Sequence, residues 1–175
     1  MPNFNSLADH LNYGAGADSH TLITDSGNAS LLDVLELMAP SVREGKTQIV
    51  GIGLDQALVE QHGFADIFED QSNDAGRALA AVIGSMLARI TGQPNIRNFS
   101  KWPDSLFRPI FVLIDDYTTI TSDPLVSSQV RQILIQGRAL GVYVLGFTKP
   151  LENEVLKAKF SADFHSVWED EPEDA

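Results

Sequence analysis

The clearest feature of the hydrophobic pattern is an unbroken apolar run at 110–114, Ile-Phe-Val-Leu-Ile, which ends on Asp115 and Asp116. A continuous run of this length, rich in β-branched residues, predicts a strand covered on both faces, which is the usual environment of a parallel sheet. Acids at the carboxyl end of such a strand point into the crevice where open α/β sheets bind ligands. The sequence therefore predicts a ligand-binding edge at these two acids.

A βαβ unit continues from this acidic tip. A helix is predicted from Pro124 to Ala139, with Asp123 as its cap and the proline at its first position. The helix ends on Gly-Arg-Ala-Leu-Gly at 137–141, and a second apolar strand follows from Val142 to Phe147. Strand, tip, helix and strand together indicate an α/β fold.

Elsewhere the apolar residues recur at strand or helix spacing. These patterns predict strands at His20–Thr24, at Thr47–Leu54 and within 160–168, and helices at Leu31–Val42, Ala75–Thr91 and Leu151–Lys159. Residues 56–70 are predicted to form a short helix or a loop. The helix that begins at Ala75 is capped by the preceding Ser-Asn-Asp, and its Arg77 and Arg89 are expected to be surface charges.

Three residues that disfavour regular secondary structure lie within these predicted helices and strands. Pro40 is expected to trim the end of its helix, because a proline removes one hydrogen bond of the helical ladder. Gly51 and Gly53 weaken the strand that contains them and mark either a close backbone approach or an edge position. Asp55 follows that strand, and we expect it to cap the next helical segment.

Composition and charge narrow the class of protein. The 175 residues are 43% hydrophobic and 21% charged, which suits one globular domain with a sizeable core. The net charge of −12 opposes electrostatic binding to nucleic acid. The chain has no cysteine, and its four histidines show no metal-ligand spacing. No Gly-x-Ser-x-Gly elbow marks a serine nucleophile.

Two segments are open to a functional and a structural interpretation. Residues 92–106 form a long loop in which Phe99 and Trp102 flank Lys101, either as a plug onto the domain or as an exposed binding platform. Residues 169–175 form an acidic tail, expected to be a solvated end, with docking to a basic partner as the alternative.

The sequence Asp115-Asp116-Tyr117, followed by Gly-Arg-Ala-Leu-Gly at 137–141, resembles the second half of FtsK/SpoIIIE-type motor ATPase domains. The Asp-Asp-Tyr form is most similar to the type VII secretion ATPases EccC and EssC. The resemblance implies a RecA-like, three-layer α/β/α fold of the P-loop NTPase type, with a mostly parallel sheet of about five strands. The strand of Leu22 is then expected near the sheet centre, close to those of Ile114 and Val144. Residues 1–168 would form the domain, with 1–19 as a lead-in.

The phosphate loop of the resembled family is altered in this chain. That loop reads Gly-x-x-x-x-Gly-Lys-Ser/Thr, because glycine N–H groups wrap the phosphates, the lysine neutralises them and the hydroxyl binds Mg²⁺. Here its last three positions become Asn28, Ala29 and Ser30, and the turn is about three residues short. The sequence therefore predicts a degenerate nucleotide pocket formed by these three residues and Thr148.

The resemblance also implies roles for the remaining site residues. Asp115 and Asp116 correspond to the catalytic acids of the motor and are expected to be vestigial, while Ser30 and Asp115 would hold Mg²⁺ only if a nucleotide binds. Arg138 corresponds to an arginine finger that acts between subunits. A charge at a helix C-terminus, interacting with the helix dipole, explains Arg138 equally well. No resident cofactor is expected, and any binding of ATP with Mg²⁺ should be weak.

The function that the resemblance implies is that of an ATPase-like domain in a type VII secretion motor. It would act in substrate recognition or regulation and would not be an active ATPase by itself. Its partners would be neighbouring ATPase domains and secreted substrate proteins, with self-assembly into a homo-oligomer left open. The domain would be cytoplasmic and would reach the membrane only through its parent protein. The alternatives are an active ATP-hydrolysing translocase of DNA or protein, and a ligand-free interaction module.

Overall fold

The computed structural model describes residues 20–24, 29–92, 108–151, 154–155, 158–159, 164 and 166–169. Its strands are β1 (Thr21–Thr24), β2 (Gln48–Ile52), β3 (Phe68–Ser72), β4 (Ile110–Ile114), β5 (Val142–Thr148) and β6 (Ser166–Glu169). They form one six-stranded sheet in the order β3-β2-β4-β5-β1-β6. Every pairing in this sheet is parallel.

The helices cover both faces of the sheet. They are α1 (Ala29–Arg43), α2 (Gln56–Gln61), α3 (Ala75–Gly92), α4 (Tyr117–Ile120) and α5 (Pro124–Gln136), with 3₁₀ turns at Ala65–Ile67 and Gly137–Leu140. From β1 to β3 the chain moves one way along the sheet, and from β3 onward it moves back. Because such crossovers are right-handed, α1 and α2 lie on one face and α3, α4 and α5 lie on the other. Two separate apolar clusters result, and the expected three-layer α/β/α architecture is confirmed. No helix among the described residues combines the length and the apolar character needed to cross a bilayer.

The strand β3 is absent from the sequence-based prediction. Its residues read Phe-Glu-Asp-Gln-Ser, and none of them is buried. Among the described strands it pairs only with β2, so it lies at an edge and carries no apolar alternation to reveal it. The strand β2 lies between β3 and β4, which excludes the edge position considered for Gly51 and Gly53.

The strand that contains Leu22 lies closer to one side of the sheet than expected. It pairs with β5, which contains Val144, as predicted. It does not pair with β4, which contains Ile114, because β5 lies between them. All four residues of β1 are nevertheless buried. Leu22 belongs to one apolar cluster and Ile23 to the other, and β6 pairs with the second edge of the strand.

One helical expectation is also wrong. The helix α1 runs through Pro40 and ends at Arg43. The side chain of Pro40 is exposed, while its neighbours Met38 and Ala39 stay in the core. Val155, in the segment predicted as the helix Leu151–Lys159, is 77% exposed. The loop at 92–106 lies outside the described residues except for Gly92, as do residues 1–19 and 170–175. Glu169, assigned to the tail from the sequence, is the last residue of β6.

Arg89 is buried rather than on the surface, and this corrects the sequence-based expectation. It is only 4% exposed, and its guanidinium donates to the carbonyls of Leu140 at 2.6 Å, Gly141 at 3.4 Å and Arg108. Burial lowers the pKa of Arg89 to about 10, so the side chain stays charged at neutral pH. The end of α3 is thereby joined to the starts of β4 and β5 at the amino edge of the sheet.

The glycines at both ends of Gly-Arg-Ala-Leu-Gly lie where a side chain would clash or strain the backbone. A Cβ on Gly137 would lie 2.5 Å from the carbonyl oxygen of Val142, so the turn can pack onto β5 only without a side chain there. Gly141 has φ +71°, a left-handed conformation that favours glycine. Part of this motif is therefore explained by chain geometry alone.

Replacing Gly137 with alanine should destabilise the protein by about 1–3 kcal/mol, because the added methyl group overpacks against a backbone carbonyl. The matched control is Gly84→Ala in α3, where a Cβ would meet nothing within 4 Å. That change should stabilise by about 0.5–1 kcal/mol through helix propensity. Urea denaturation of both variants measures the difference, and equal effects would contradict the close contact.

Replacing Arg89 with methionine should cost about 1–3 kcal/mol, because the carbonyls of Leu140 and Arg108 lose a buried donor. Arg77→Met is the control, since Arg77 is an exposed arginine of the same helix. Its replacement should change the free energy of unfolding by no more than about 0.5 kcal/mol. Thermal and urea unfolding of the two variants check this prediction. An Arg89 variant as stable as the control would show that these hydrogen bonds do not stabilise the fold.

Candidate functional site

The carboxyl ends of the parallel strands meet at one edge of the sheet, and most of the predicted site residues lie there. The connection after β1 leaves toward the face of α1, whereas those after β4 and β5 leave toward the opposite face. The connections that follow neighbouring strands therefore leave on opposite faces at two divergence points, one between β5 and β1 and the other between β4 and β2. In open parallel sheets, crevices at such divergence points are where ligands bind.

The acidic tip after β4 is a tight, internally bonded turn. Asp116 has φ +48° and ψ 48°, a left-handed conformation that aspartate tolerates. Its N–H donates to Oδ1 of Asp115 at 2.8 Å, and its own Oδ1 accepts from the Thr119 hydroxyl at 3.0 Å. The backbone carbonyl of Asp116 also accepts from the N–H groups of Thr119 and Ile120. The turn is therefore held by its own residues, which fixes where the two carboxylates lie.

The surroundings of Asp115 shift the pKa of its carboxyl upward. Burial raises the pKa of this carboxyl, and the negative charges of Asp116 and Asp55 raise it further, while the hydrogen bond from the Asp116 N–H lowers it. Asp55 is the N-cap of α2, where its carboxylate accepts from the Leu58 N–H at 3.2 Å, as predicted. The acids after β2 and β4 thus form one negatively charged group at the divergence between these strands.

The backbone between Asp55 and Asp115 is closely packed. Gly53 has φ +68°, and a Cβ there would lie 2.5 Å from Cδ1 of Ile120. Its N–H donates to the Ser72 carbonyl, and the Asp115 N–H donates to the Ile52 carbonyl. The close backbone approach predicted for this glycine is therefore confirmed.

Tyr117, the third residue of Asp-Asp-Tyr, serves the core rather than the crevice. It is 3% exposed and packs edge-on against Phe164 at 5.1 Å between ring centroids. A Cβ on Gly146 would lie 2.9 Å from Cδ2 of the tyrosine ring, so the ring rests directly on the β5 backbone. The tyrosine thereby fixes the acidic tip to the neighbouring strand.

The predicted nucleotide pocket lies at the other divergence, between β5 and β1. Thr148 ends β5 and pairs in register with Thr24, the last residue of β1. Ser30, in the first turn of α1, is completely buried. Ala29 is the first residue of α1, and Asn28 lies outside the described residues.

The structure thus brings Ser30 and Thr148 to one crevice, while Asp115 and Asp116 lie at the end of β4, with β5 between them and β1. Within the described ranges, no group of three or more histidine, aspartate or glutamate side chains is arranged to hold a metal ion. A metal shared by Ser30 and Asp115 therefore stays a prediction.

Arg138 lies at the amino-terminal ends of the strands, opposite the carboxyl ends where the acids lie. It belongs to the 3₁₀ turn that precedes β5, and in a parallel sheet the start of a strand is remote from the carboxyl ends. Its side chain is exposed. An action of this arginine on a ligand in the crevice of its own domain is therefore excluded by position, whereas an action on a neighbouring domain stays a prediction.

Sequence reasoning missed three contributors to this edge: the charge of Asp55 acting on Asp115, the packing of Tyr117 on Gly146, and the strand β3. The packing of Tyr117 on Gly146 had a signal in the sequence, since a glycine inside an otherwise apolar strand marks a close approach. The proximity of Asp55 to Asp115 depends on β2 pairing with β4, which no local pattern encodes.

Structural comparison finds solved proteins of the same fold at low sequence identity. The pCW3 conjugation coupling protein TcpA, in a monomer form with ATPγS, matches with a TM-score of 0.63 and 11% identity, over 85% of this chain and 47% of that one. The cytoplasmic domain of the type VII secretion ATPase EccC of Thermomonospora curvata matches at 0.54 and 16% identity, over 77% and 16%. ATPases 2 and 3 of EssC from Geobacillus thermodenitrificans match at 0.54 and 12%, over 77% and 29%.

The chain therefore has the fold of the ATPase domains found in secretion motors and coupling proteins, and it spans less than half the length of each of these three proteins. The resemblance to FtsK/SpoIIIE-type motors and to EccC and EssC is confirmed at the level of the fold. No protein-family model matches the sequence, and no curated protein matches it.

Replacing Asp115 with asparagine should change how stability depends on pH. The pKa of Asp115 is raised above 3.8 in the folded protein. The wild-type protein therefore loses stability as the pH rises from the unfolded-state pKa of this carboxyl through its higher folded-state pKa. The variant lacks this loss, so it should be slightly more stable than wild type at neutral pH and similar near pH 4. Urea denaturation across this pH range measures the difference.

Asp116→Asn is the companion variant, since asparagine also tolerates the left-handed conformation. It removes one of the charges that raise the pKa of Asp115 but leaves the burial. Its gain at neutral pH should have the same sign and be smaller. A loss of stability in Asp115→Asn at neutral pH would show that the carboxylate is favoured in its charged form.

Proposed function

We propose that this domain is an ATPase-like part of a type VII protein secretion motor that has lost tight ATP binding and acts in substrate recognition or in regulation of the translocase. The observation that carries the proposal is the sequence that follows β1, Asp-Ser-Gly-Asn-Ala-Ser at 25–30. It contains no lysine or arginine where the triphosphate would need one. Losing a charge-assisted contact to phosphate costs about 2 kcal/mol or more.

Ser30 does not offset the missing cation. Its hydroxyl is the one group of the phosphate-loop pattern that this chain retains, and in a motor that hydroxyl is an Mg²⁺ ligand. The side chain is completely buried in the first turn of α1. A single neutral hydroxyl does not replace the lysine that contacts the phosphates.

The acids also fit a triphosphate poorly. Burial and the charges of Asp116 and Asp55 raise the pKa of Asp115. Without a cation between them, these acids repel phosphate. Together with the missing lysine, this favours a domain that keeps the fold without the reaction.

The partners follow from the proteins that share the fold. EccC of Thermomonospora curvata has been solved with its ATPases 2 and 3 in complex with a signal sequence peptide. We propose that this domain likewise works beside other ATPase domains and contacts secreted proteins. It would do so in the cytoplasm, with the parent protein supplying any link to the membrane. The net charge of −12 argues against nucleic acid as the substrate.

An active translocase is the second candidate. It is favoured by the match to TcpA, a conjugation coupling protein whose structure contains ATPγS. In that case Asp115 and Asp116 would act on Mg²⁺-bound nucleotide, and Arg138 would reach the nucleotide of a neighbouring domain. Both candidates keep the same fold and differ only in whether nucleotide binds.

Calorimetric titration with ATP and Mg²⁺ separates the two candidates. We expect no binding with Kd below about 1 mM, because the cation and the full-length phosphate loop are absent. An EccC ATPase domain with an intact phosphate loop is the positive control. Micromolar binding with Mg²⁺-dependent turnover that Asp115→Asn abolishes would instead establish the active translocase.

A further inference from the structure

His20 is a buried titratable side chain that neither the candidate site nor the proposed function uses. It directly precedes β1 and is 0% exposed. Its Nδ1 accepts a hydrogen bond of 2.9 Å from the backbone N–H of Val144 in β5. The pairing of the two strands begins one residue later, where Thr21 is in register with Leu145. The imidazole therefore supplies an acceptor to β5 and extends the attachment of β1 to this strand.

The hydrogen bond from Val144 defines the protonation state of the imidazole. A backbone N–H can only donate, so Nδ1 of His20 carries no hydrogen and accepts through its lone pair. The ring is therefore neutral, with its hydrogen on Nε2. A second proton would have to be placed on Nδ1, where two donors would then face each other. Protonation of His20 and its hydrogen bond with Val144 are thus mutually exclusive.

The burial of both partners makes protonation unfavourable in the folded protein. Val144, like His20, is 0% exposed. Protonation would leave a buried N–H without its acceptor and would place a charge on a buried ring, and both changes cost free energy. In the unfolded chain water solvates either group. The unfolded chain therefore takes up this proton more readily than the folded protein does.

The other charged and titratable groups at this end of the sheet come from β5, β6, α1 and α3. On β5 the ring of Tyr143 lies 6.3 Å from that of His20 between centroids. Arg89 of α3 interacts electrostatically with Tyr143, and its positive charge opposes a further one at this end of the sheet. The charged groups at the end of α1 are engaged in ion pairs, Arg43–Asp66 and Lys46–Glu44. Two more titratable residues adjoin β1 and β6 in the sequence and lie outside the described residues, namely Asp18 and His165.

We propose that His20 is a proton-sensitive attachment point of β1: the neutral imidazole stabilises the pairing of β1 with β5, and protonation weakens it. The last residue of β1, Thr24, pairs with Thr148 at the predicted nucleotide pocket. Proton uptake at one end of β1 should therefore loosen the pocket at its other end. The inference goes beyond the proposed function and is independent of whether the domain binds nucleotide.

Proton linkage gives the direction of the pH dependence. A histidine in an unfolded chain takes up its proton at about pH 6.5. Because the folded protein disfavours that proton, the stability contributed by His20 is present above this pH and is lost as the pH falls below it. Between about pH 7.5 and about pH 5.5, this histidine should lower the folding equilibrium constant about tenfold.

The test variant is His20→Asn, because Oδ1 of asparagine can accept from the Val144 N–H and does not titrate. Urea denaturation of the full chain at the two pH values measures the folding equilibrium constant. Wild type should lose about tenfold more of this constant than His20→Asn does. His62→Asn is the matched control, since His62 is an exposed histidine at the end of α2, and it should behave as wild type does. An equal pH dependence in His20→Asn and wild type would overturn the inference.

The wild-type protein provides a second measurement that needs no variant. ¹⁵N NMR distinguishes a neutral imidazole with its hydrogen on Nε2 from an imidazolium, and His20 should stay neutral in the folded protein at about pH 5.5. The protection factors of the Val144 and Ile23 amides against hydrogen exchange should be about tenfold lower there than at about pH 7.5. A folded protein with a doubly protonated His20 and an unchanged protection factor at Val144 would contradict the proposed attachment.

Discussion

The pairing of β4 with β5 is the interaction on which the rest of the structure depends. Both strands are buried along their whole length, and each is hydrogen-bonded on its two sides. A strand in this position can expose polar groups only beyond its ends. The candidate functional residues for this reason lie beyond the ends of the strands. The acids Asp115 and Asp116 follow β4 at one edge, and Arg138 precedes β5 at the other.

The same pairing explains several residues that look functional in the sequence. Gly146 admits the ring of Tyr117, and Gly137 lets the turn before β5 approach the carbonyl of Val142. Arg89 donates to the carbonyls where β4 and β5 begin. The Asp-Asp-Tyr and Gly-Arg-Ala-Leu-Gly segments are thus partly devices for packing two central strands. A domain can keep both segments after its chemistry has changed, and this is compatible with the proposed loss of nucleotide binding.

The carboxyl ends of β2 and β4 carry the acidic group of Asp55, Asp115 and Asp116. Burial and the neighbouring negative charges raise the pKa of Asp115. These three acids supply no positive charge for a triphosphate, which is compatible with the proposed loss of nucleotide binding.

The sequence by itself determined the central elements and the fold class. Continuous apolar runs and helix caps depend on nearby residues, and so β4, β5, α3 and the start of α5 were predicted correctly. The lack of a lysine or arginine at 25–30 is likewise a property of the sequence, and it carries the proposed function. Only the tertiary structure decided the strand order, the polar edge strand β3, the burial of Arg89 and the proximity of Asp55 to Asp115. Those features depend on contacts between residues remote in the chain, and a remote contact leaves no periodic pattern in the sequence.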